Sequence, residues 1–394
     1  MNTIDKIKQL AKTYSSEIVG VRRYLHQHPE LSFKEHKTCA YIRQQLIAIG
    51  IDTIESVAET GLLATIQGTD KGKTILLRAD MDALPIHEEN TVEYASRNKG
   101  IMHACGHDVH MTSLLLTAKI LFELRNEYSG TVKLLFQPGE ELMPGGATLV
   151  MKEAAYKSIG PIPHLGQHVM PNLPAGKVGF RSGLFMASMD EIYITIIGKG
   201  GHAAVPEECI DPILIASHVI VAAQQVVSRM ASPKTPSVLS FGRIIGDGAN
   251  NVIPDKVTIE GTFRTYDEVW RTEAIEKLTK LIKSIAEGMG ADCIVDIPRG
   301  YPHLKNDVVL TNSMKQGAIS YLGEDKVVDL DLWMAAEDFA YYTQKNQACF
   351  YLLGVGNIEK GITSGLHTPT FNIDESALET GGGLMAWLAL ESLA

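Results

Sequence analysis

The chain has 394 residues, which exceeds the roughly 250 to 300 residues at which single hydrophobic cores stop growing, so two domains are expected. A hydrophobic content of 45%, a charged fraction of 21% and the lack of an apolar run of about 18 residues argue against a membrane protein. The net charge of -10, without a basic stripe, argues against nucleic acid and favours a small molecule as the partner.

The first predicted element is a helix over 4–26, because its apolar residues recur at helical spacing and do not form the apolar core of a signal peptide. We therefore expect a cytoplasmic protein. The five cysteines agree with a reducing compartment, since they are odd in number and too scattered for a disulfide framework. Their thiolates are then free to bind metal.

Helices and strands alternate through residue 180, and a strand and a helix of the same style return near the C-terminus. The predicted elements are helices at 36–49 and about 109–125 and strands at 74–80, 131–136 and 349–355. Such alternation is typical of an α/β domain with a mostly parallel sheet covered by helices. We assign it to residues 1–184 and 299–394 as the catalytic domain.

Between these two parts the order of elements changes. Strand, helix, two strands, helix and strand follow one another at 190–198, 211–230, 237–246, 256–266, 272–290 and 292–298. This β-α-β-β-α-β order is that of a ferredoxin-like unit. We therefore expect an inserted ferredoxin-like α+β domain over 185–298, acting as a lid and as a dimerisation domain.

The stretch "MHACGHDVH", residues 102–110, places one cysteine and three histidines in the loop that enters a predicted helix. Gly106 allows the backbone to bend so that the Cys105 thiolate and the His107 imidazole could face one ion. Alone, the stretch also fits a small buried cysteine among hydrogen-bonded histidines. Three further polar stretches, "RADMD", "QPGEE" and "LGQHV", favour a metal site, because each lies where a doubly wound sheet places its chemistry, past the carboxyl end of a strand.

In "QPGEE", Pro138 and Gly139 end the predicted strand before Glu140 and Glu141. Adjacent side chains in a turn can diverge, so that one carboxylate binds metal while its neighbour handles protons. A charged pair directly after a buried strand and a Pro-Gly turn therefore favours a functional role over a solvated loop.

With these motifs, nearly the whole chain resembles the aminoacylase and hippurate hydrolase branch of the di-metal amidohydrolases, relatives of the zinc carboxypeptidases and dipeptidases with an inserted lid. The joint occurrence of eight motifs in order is highly specific. The motifs are "RRYLHQHPELSF" (22–33), "RADMDALP" (78–85), "MHACGHDVHM" (102–111), "FQPGEE" (136–141), "GKGGHAA" (198–204), "NVIPD" (251–255), "EDFAYY" (337–342) and "LHTPTF" (366–371).

The resemblance implies two divalent metal ions per subunit, with Cys105 between them, a general acid/base at Glu140 and a supporting carboxylate at Asp82. The ligands that it implies are Cys105, His107, Glu141, His168 and His367. The chemistry agrees, because two close ions lower the pKa of a shared water and polarise a carbonyl, while a nearby carboxylate moves the proton to the leaving amine. These ligand types leave Zn²⁺, Mn²⁺, Co²⁺ and Ni²⁺ open.

The resemblance also implies that three lid residues reach the substrate. His202, in a Gly-Gly-His turn, would donate to the developing oxyanion. Asn251 and Arg264 would hold a carboxylate, for which arginine offers a bidentate fork. For Arg264 a plain surface position is an equal alternative. The lids are expected to pair in a homodimer.

Together these expectations describe a metal-dependent amidohydrolase that splits N-acyl amino acids, such as N-acetyl or N-benzoyl amino acids, into a carboxylic acid and a free amino acid. A dipeptidase or carboxypeptidase on the same scaffold is the alternative. A non-catalytic ligand-binding protein is the alternative from another class, although a binder has no need of a base such as Glu140 beside its metal.

Overall fold

The computed structural model describes residues 2–394. The chain forms two compact units. The first unit contains the chain up to Phe185 together with Lys305–Asp331 and Asp338–Ala394. The second unit, here called the lid, contains Met186–Leu304 and Leu332–Glu337. The lid is therefore longer than the predicted range 185–298 and includes a short second segment.

Hydrogen bonds explain both extensions of the lid. The Arg271 guanidinium donates to the carbonyl of Gly300, and the backbone N–H of His303 donates to Glu268, so the chain beyond 298 stays attached to a lid helix. In the second segment, the carbonyl of Met334 accepts a hydrogen bond from Arg264 at 2.9 Å. These hydrogen bonds join residues that are far apart in sequence. The periodicity of single elements does not reveal such contacts, so it placed the lid boundary too early.

The N-terminal part of the first unit contains five helices and seven strands among the residues that the structure describes. They are α1 (Thr3–Gln27), α2 (His36–Ile49), β1 (Ile54–Val57), β2 (Gly61–Gln67), β3 (Thr74–Asp80), α3 (His107–Glu123), β4 (Thr131–Gln137), α4 (Gly146–Val150), α5 (Ala154–Lys157), β5 (His164–Pro174), β6 (Val178–Phe180) and β7 (Gly183–Met186), whose last residue falls in the lid. Local chemistry sets the helix ends, since the Asn2 side chain caps α1 and Gly50, in the left-handed conformation, ends α2.

The later elements belong to the lid and then to the C-terminal part of the first unit. In the lid they are β8 (Asp190–Ile197), β9 (Gly201–His202), α6 (Pro212–Ala223), β10 (Ser237–Ile245), β11 (Val252–Ile253), β12 (Lys256–Thr265), α7 (Glu268–Gly288) and β13 (Asp292–Asp296). They continue with β14 (Leu304–Asn306), α8 (Val308–Leu322), β15 (Val327–Asp329), α9 (Ala340–Thr343), β16 (Ala348–Gly356) and α10 (Ala377–Leu393).

The first unit is built on an eight-stranded sheet in the order β1-β2-β4-β3-β5-β16-β6-β15. Its central strands β4, β3, β5 and β16 run parallel, and they are almost entirely buried, as expected for strands covered on both faces. Helices α1, α3 and α10 pack on one another beside the sheet. The predicted α/β fold with a mostly parallel sheet is confirmed, and the parallel strands bring their carboxyl ends to one edge.

The lid has a four-stranded antiparallel sheet in the order β10-β12-β8-β13. Alternate residues of β8, namely Ile192, Ile194 and Ile196, are buried in the lid core, while Tyr193 and Ile197 point to the surface. Helices α6 and α7 pack on each other and on this sheet. The predicted ferredoxin-like lid fold is confirmed.

One prediction about apolar segments is wrong. The helical stretch Pro212–Met230, which is α6 with the π-helical turn after it, is long and apolar enough to cross a membrane by length and composition. Only 28% of its most apolar window is buried. Its inner face packs in the lid core through Ile215 and Val219, and a helix that covers a sheet can meet the same criteria without crossing a membrane. Its outer face leaves apolar side chains exposed.

Candidate metal centre

The residues with metal-binding side chains converge at the carboxyl edge of the central parallel strands. Asp80 is the last residue of β3, Glu140 and Glu141 are the third and fourth residues after β4, and His168 lies within β5. Cys105 and His107 stand where the chain enters α3, and His367 lies in the loop after β16. A parallel sheet gathers the residues that follow its strands at one edge, which explains how side chains from distant parts of the sequence meet.

Cys105 is the centre of this arrangement. Its Sγ lies 3.4 Å from Nε2 of His168 and 3.2 Å from Nε2 of His367. This sulfur belongs to two groups of possible ligand atoms, and within each group the atoms lie within 4.8 Å of one another. One group is Cys105 with His107 and His168, and the other is Cys105 with Glu141 and His367. The structure thus brings all five predicted ligands together, and the thiol of Cys105 belongs to both groups.

The loop around Cys105 is shaped by Gly106. This residue has a φ of 76°, and a Cβ there would come within 2.5 Å of a Val169 methyl group. Only glycine fits this combination of a left-handed backbone and close packing. His367 also has a positive φ, 59°, and its backbone N–H donates to the carbonyl of Ala104, which ties the last predicted ligand to the same loop.

Hydrogen bonds orient the histidine rings toward a common point. Nδ1 of His168 lies 2.7 Å from the Val169 carbonyl, so Nδ1 carries the proton and the lone pair of Nε2 faces Cys105. Nδ1 of His107 lies 3.3 Å from Asp82 Oδ1, which leaves its Nε2 directed toward Glu141. This is the arrangement in which a carboxylate or carbonyl fixes the tautomer of a metal-binding imidazole.

Two buried atoms at this point have no hydrogen-bond partner among residues 2–394. They are His107 Nε2 and Glu141 Oε1, which lie 3.9 Å apart. Buried polar atoms are otherwise almost always paired, because leaving one unpaired costs about 1–3 kcal/mol. An imidazole lone pair and a carboxylate oxygen share an affinity for a divalent cation, so the residues present fit a metal ion.

The charge of the surroundings fits a cation as well. Burial, followed by the negative charges of Glu141 and Glu140, raises the pKa of the Cys105 thiol well above its ordinary value. Although burial acts against it, the carboxylates of Asp80 and Asp82 raise the pKa of His107 to about 10. The first shift disfavours a further negative charge and the second favours a positive one, so a divalent cation held here would stabilise the Cys105 thiolate.

A second layer of buried residues supports the ligands. The Val169 N–H donates to Nε2 of His110, so the His110 proton is on Nδ1, which contacts Asp80 Oδ1 at 2.6 Å. Asp80 also accepts a hydrogen bond from Arg78 at 2.6 Å. Asp80 and His110 therefore support the predicted ligands from behind. Although a possible ligand group includes these two residues, the Val169 bond occupies the outer nitrogen of His110.

Glu140 is held from the other side by Asp338, a residue that sequence reasoning did not single out. The Asp338 backbone N–H lies 3.4 Å from Glu140 Oε1. The Asp338 carboxylate accepts hydrogen bonds from Arg78, Gln137 and the Ala147 N–H. Burial raises the pKa of Asp338 to about 6 despite these donors. The motif "EDFAYY" was the signal that could have identified it.

Within the lid, His202 and Asn251 are neighbours. His202 pairs with Val252 across the β9–β11 ladder, and the Asn251 carbonyl accepts from Ala203. The Ala204 N–H donates to Nδ1 of His202, so a neutral ring carries its proton on Nε2 and can donate it. Arg264 lies apart on β12, half-buried, with one N–H on the Met334 carbonyl.

The sequence matches the model of one protein family over residues 76–391, that of peptidase family M20/M25/M40. The chain belongs to this family. The predicted resemblance to the aminoacylase branch of the di-metal hydrolases is thereby confirmed at the level of the family.

Several members of the family are similar to this chain along most of its length. An N-acyl-L-amino acid amidohydrolase of Geobacillus stearothermophilus is 41% identical, covering 76% of this chain and 80% of its own. Thermostable carboxypeptidase 2 of Saccharolobus solfataricus is 35% identical, covering 99% of each chain. The solved structure of a Bacillus subtilis M20 protein, described as a dinuclear metal-binding peptidase, has a TM-score of 0.81 at 35% identity, covering 97% of this chain and 99% of its own.

We predict that Cys105→Ser weakens metal binding, because a hydroxyl is a far poorer ligand than a thiolate at neutral pH. The prediction is checked by measuring the metal content after dialysis with elemental mass spectrometry. Cys349→Ser is the matched control, since Cys349 is also buried, in β16, and lies in none of the possible ligand groups among the described residues. Unchanged metal content in Cys105→Ser would remove Cys105 from the metal centre.

Proposed function

We propose that this protein hydrolyses the amide bond of N-acyl amino acids, using two divalent metal ions held by Cys105, His107, Glu141, His168 and His367. The observation that carries the proposal is the position of Glu140. Its carboxylate lies within 4.8 Å of the ligand atoms of His107 and Glu141, yet it belongs to neither of the two ligand groups that share Cys105.

The proposed reaction assigns the protons to Glu140. When bound, the two ions supply a water of lowered pKa and polarise the scissile carbonyl. Glu140 accepts a proton as the amide carbon is attacked and returns it to the nitrogen of the leaving amino acid. The hydrogen bond from the Asp338 N–H aims Glu140 Oε1, and the 6% exposure of Glu140 limits exchange of its proton with bulk water.

The lid contributes substrate contacts in this proposal. His202 donates its Nε2 proton to the oxyanion that forms from the carbonyl oxygen, a role supported by the Ala204 hydrogen bond that fixes the tautomer of a neutral ring. Asn251 and Arg264 hold the carboxylate of the amino acid. Arg264 donates one N–H to the Met334 carbonyl, and the other N–H groups of its guanidinium would bind this carboxylate.

A carboxypeptidase or dipeptidase reaction is the second candidate, because the Saccharolobus relative is a carboxypeptidase and the same groups would split a peptide bond. The two reactions differ in whether the scissile carbonyl belongs to a simple acyl group or to an amino acid. A non-catalytic binder on this scaffold is a third candidate, and the buried Glu140 beside the ligands counts against it.

We also propose a homodimer that forms through the lid. Its support is the outer face of α6, where Ile213, Leu214 and Val221 are 42%, 52% and 75% exposed. Exposed apolar patches on a water-soluble protein mark surfaces that a partner covers. A cytoplasmic location, without nucleic acid or membrane as a partner, belongs to the same proposal and is supported by five cysteines that are all unpaired.

The proposed function predicts the outcome of a substrate panel. Metal-stripped protein is reloaded with Zn²⁺, Mn²⁺, Co²⁺ or Ni²⁺ and assayed with N-acetyl amino acids, N-benzoyl amino acids and dipeptides. We expect the highest kcat/KM for an N-acyl amino acid. A higher value for dipeptides would favour the peptidase, and tight binding of all compounds without turnover would favour the binding protein.

Glu140→Gln should lower kcat by about 10² to 10⁴, the usual contribution of a general base, because the amide keeps the shape of the side chain and cannot accept the proton. Metal content should stay at the wild-type level. Glu141→Gln is the contrasting variant, because it replaces a proposed ligand and should lower metal content as well. Near-normal turnover of Glu140→Gln at full metal occupancy would show that Glu140 is not the base.

Replacing His202 by Ala should lower kcat by about 10² to 10³, the loss typical of one oxyanion donor, with metal content unchanged. Mixing Glu140→Gln subunits with His202→Ala subunits then tests whether His202 acts on the site of the partner. If it does, half of the dimers in an equal random mixture have one intact site of two, and activity returns to about a quarter of wild type. Mixtures that stay inactive although subunits exchange would contradict action across the dimer.

A further inference from the structure

The turn that carries Glu140 is held by its two flanking peptide groups. The backbone N–H of Gly139, just before Glu140, donates to Glu35 Oε1 at 2.8 Å. The backbone N–H of Glu141, just after it, donates to Asp82 Oδ2 at 2.9 Å. Both acceptors are buried carboxylates, and both are linked to the segment 32–35, because the Ser32 hydroxyl donates to Asp82 at 2.6 Å.

Glu35 is fully buried and makes two further contacts. The Thr60 hydroxyl donates to its Oε2 at 2.8 Å, and the Phe33 N–H donates to its Oε1 at 3.0 Å. Three donors converge on one carboxylate, which offsets the cost of burying it. The side chain is therefore fixed in both position and direction.

Glu35 occupies the N-cap position of α2 but does not cap that helix. Its side chain makes no capping hydrogen bond among the described residues. Glu30 serves the helix instead, since its carboxylate accepts from the Thr38 N–H at 2.8 Å and from the Thr38 hydroxyl at 2.9 Å. An N-cap side chain ordinarily stabilises its own helix. The Glu35 carboxylate is directed to the turn before Glu140.

The Phe33 ring holds the same turn from another side. Gly139 has a φ of 62°, and a Cβ at this position would lie 2.2 Å from the Phe33 ring. Phe33 itself has a φ of 62°, a conformation that is uncommon for a bulky residue. The turn is thus confined by a ring in contact with Gly139 and by a carboxylate that accepts its N–H.

We infer that Glu35 is a positioning residue for Glu140, fixing the turn 138–141 through the Gly139 N–H so that the Glu140 carboxylate reaches the reacting atoms. The inference rests on the proposed function, in which Glu140 moves the proton. A misplacement of a catalytic group by about 1 Å can lower a rate about 10²-fold, so the effect on kcat should be large although Glu35 touches no substrate.

The test compares Glu35→Leu with Glu35→Gln. Leucine fills similar space and accepts no hydrogen bond, so we expect kcat to fall about 10- to 100-fold with KM within about threefold of wild type and metal content unchanged. Glutamine can keep all three contacts, with Oε1 accepting from Gly139 and Phe33 and its NH₂ group donating to the Thr60 hydroxyl. We therefore expect Glu35→Gln to recover most of kcat.

Glu30→Leu is the matched control. It makes the same substitution five positions earlier, and it removes the hydrogen bonds to Thr38 at the start of α2 without touching the turn 138–141. A general loss of stability should lower the Tm of both leucine variants, whereas the fall in kcat should be confined to Glu35→Leu. Equal kcat values for the two variants, or a Glu35→Gln variant as slow as Glu35→Leu, would overturn the inference.

A second pair of variants covers the case in which Glu35→Leu does not fold. Thr60→Val and Thr38→Val each remove one buried hydroxyl that donates to a glutamate, at 2.8 and 2.9 Å. Of these two threonines only Thr60 contacts Glu35, so we expect a kcat reduced severalfold in Thr60→Val and unchanged in Thr38→Val. Equal kcat values in this pair would also overturn the inference.

Hydrogen exchange gives a readout that does not depend on activity. If Glu35 fixes the turn, the peptide covering 137–146 should exchange its amide hydrogens faster in Thr60→Val and in folded Glu35→Leu than in the matched controls. Unchanged exchange in that peptide would sink the positioning role even if N-acyl amino acids are hydrolysed. Faster exchange in a protein that hydrolyses no N-acyl amino acid would instead contradict the proposed function and leave the role of Glu35 in fixing the turn intact.

Discussion

The balance of charge around Cys105 is the constraint on which the rest of the site depends. A thiol and the carboxylates of Asp80, Asp82, Glu140 and Glu141 meet in the interior of the first unit, where unpaired charges are costly. Arg78 compensates Asp80 directly, at 2.6 Å. The remaining carboxylates lie near the imidazoles, and positive charge at that point would offset the cost of burying them.

This constraint explains why the supporting residues are so numerous. Each carboxylate near the ligands accepts hydrogen bonds from specific donors, as Asp82 does from Ser32 and the Glu141 N–H. The donors lower the cost of burying charge and also fix the direction of each oxygen. Orientation and charge compensation are therefore provided by the same contacts, and removing one contact affects both.

The sequence predicted most of the fold because helical and strand periodicities are local properties. The alternation before residue 180 and the β-α-β-β-α-β order after it were sufficient for the two sheets. The lid boundary and the exposed outer face of α6 were not predictable in this way. The first depends on the contact between Arg264 and Met334, which are 70 residues apart, and the second on which side of a mostly apolar helix faces a sheet.

For the site, short motifs predicted the candidate ligands, but motifs do not predict which residues contact one another in the folded chain. Glu35 lies 104 residues before its hydrogen-bond partner Gly139, and no sequence pattern in either segment predicts this contact. His26 shows the same limit, since its motif does not indicate which residues it contacts. It lies buried between Asp108 and Glu88, at 2.8 and 3.2 Å, in an ionic network that only the tertiary structure creates.

The distance in sequence between Cys105 and His367, 262 residues, has a consequence for biosynthesis. A ribosome makes the thiol, the Cys105 loop and both adjacent glutamates long before it makes the last histidine, and the whole lid is translated in between. A nascent chain therefore offers an incomplete set of ligands during most of its synthesis. With the ligands proposed above, the set is complete only after β16 and the loop that follows it have been synthesised, so the last proposed ligand joins the Cys105 loop at a late stage of synthesis.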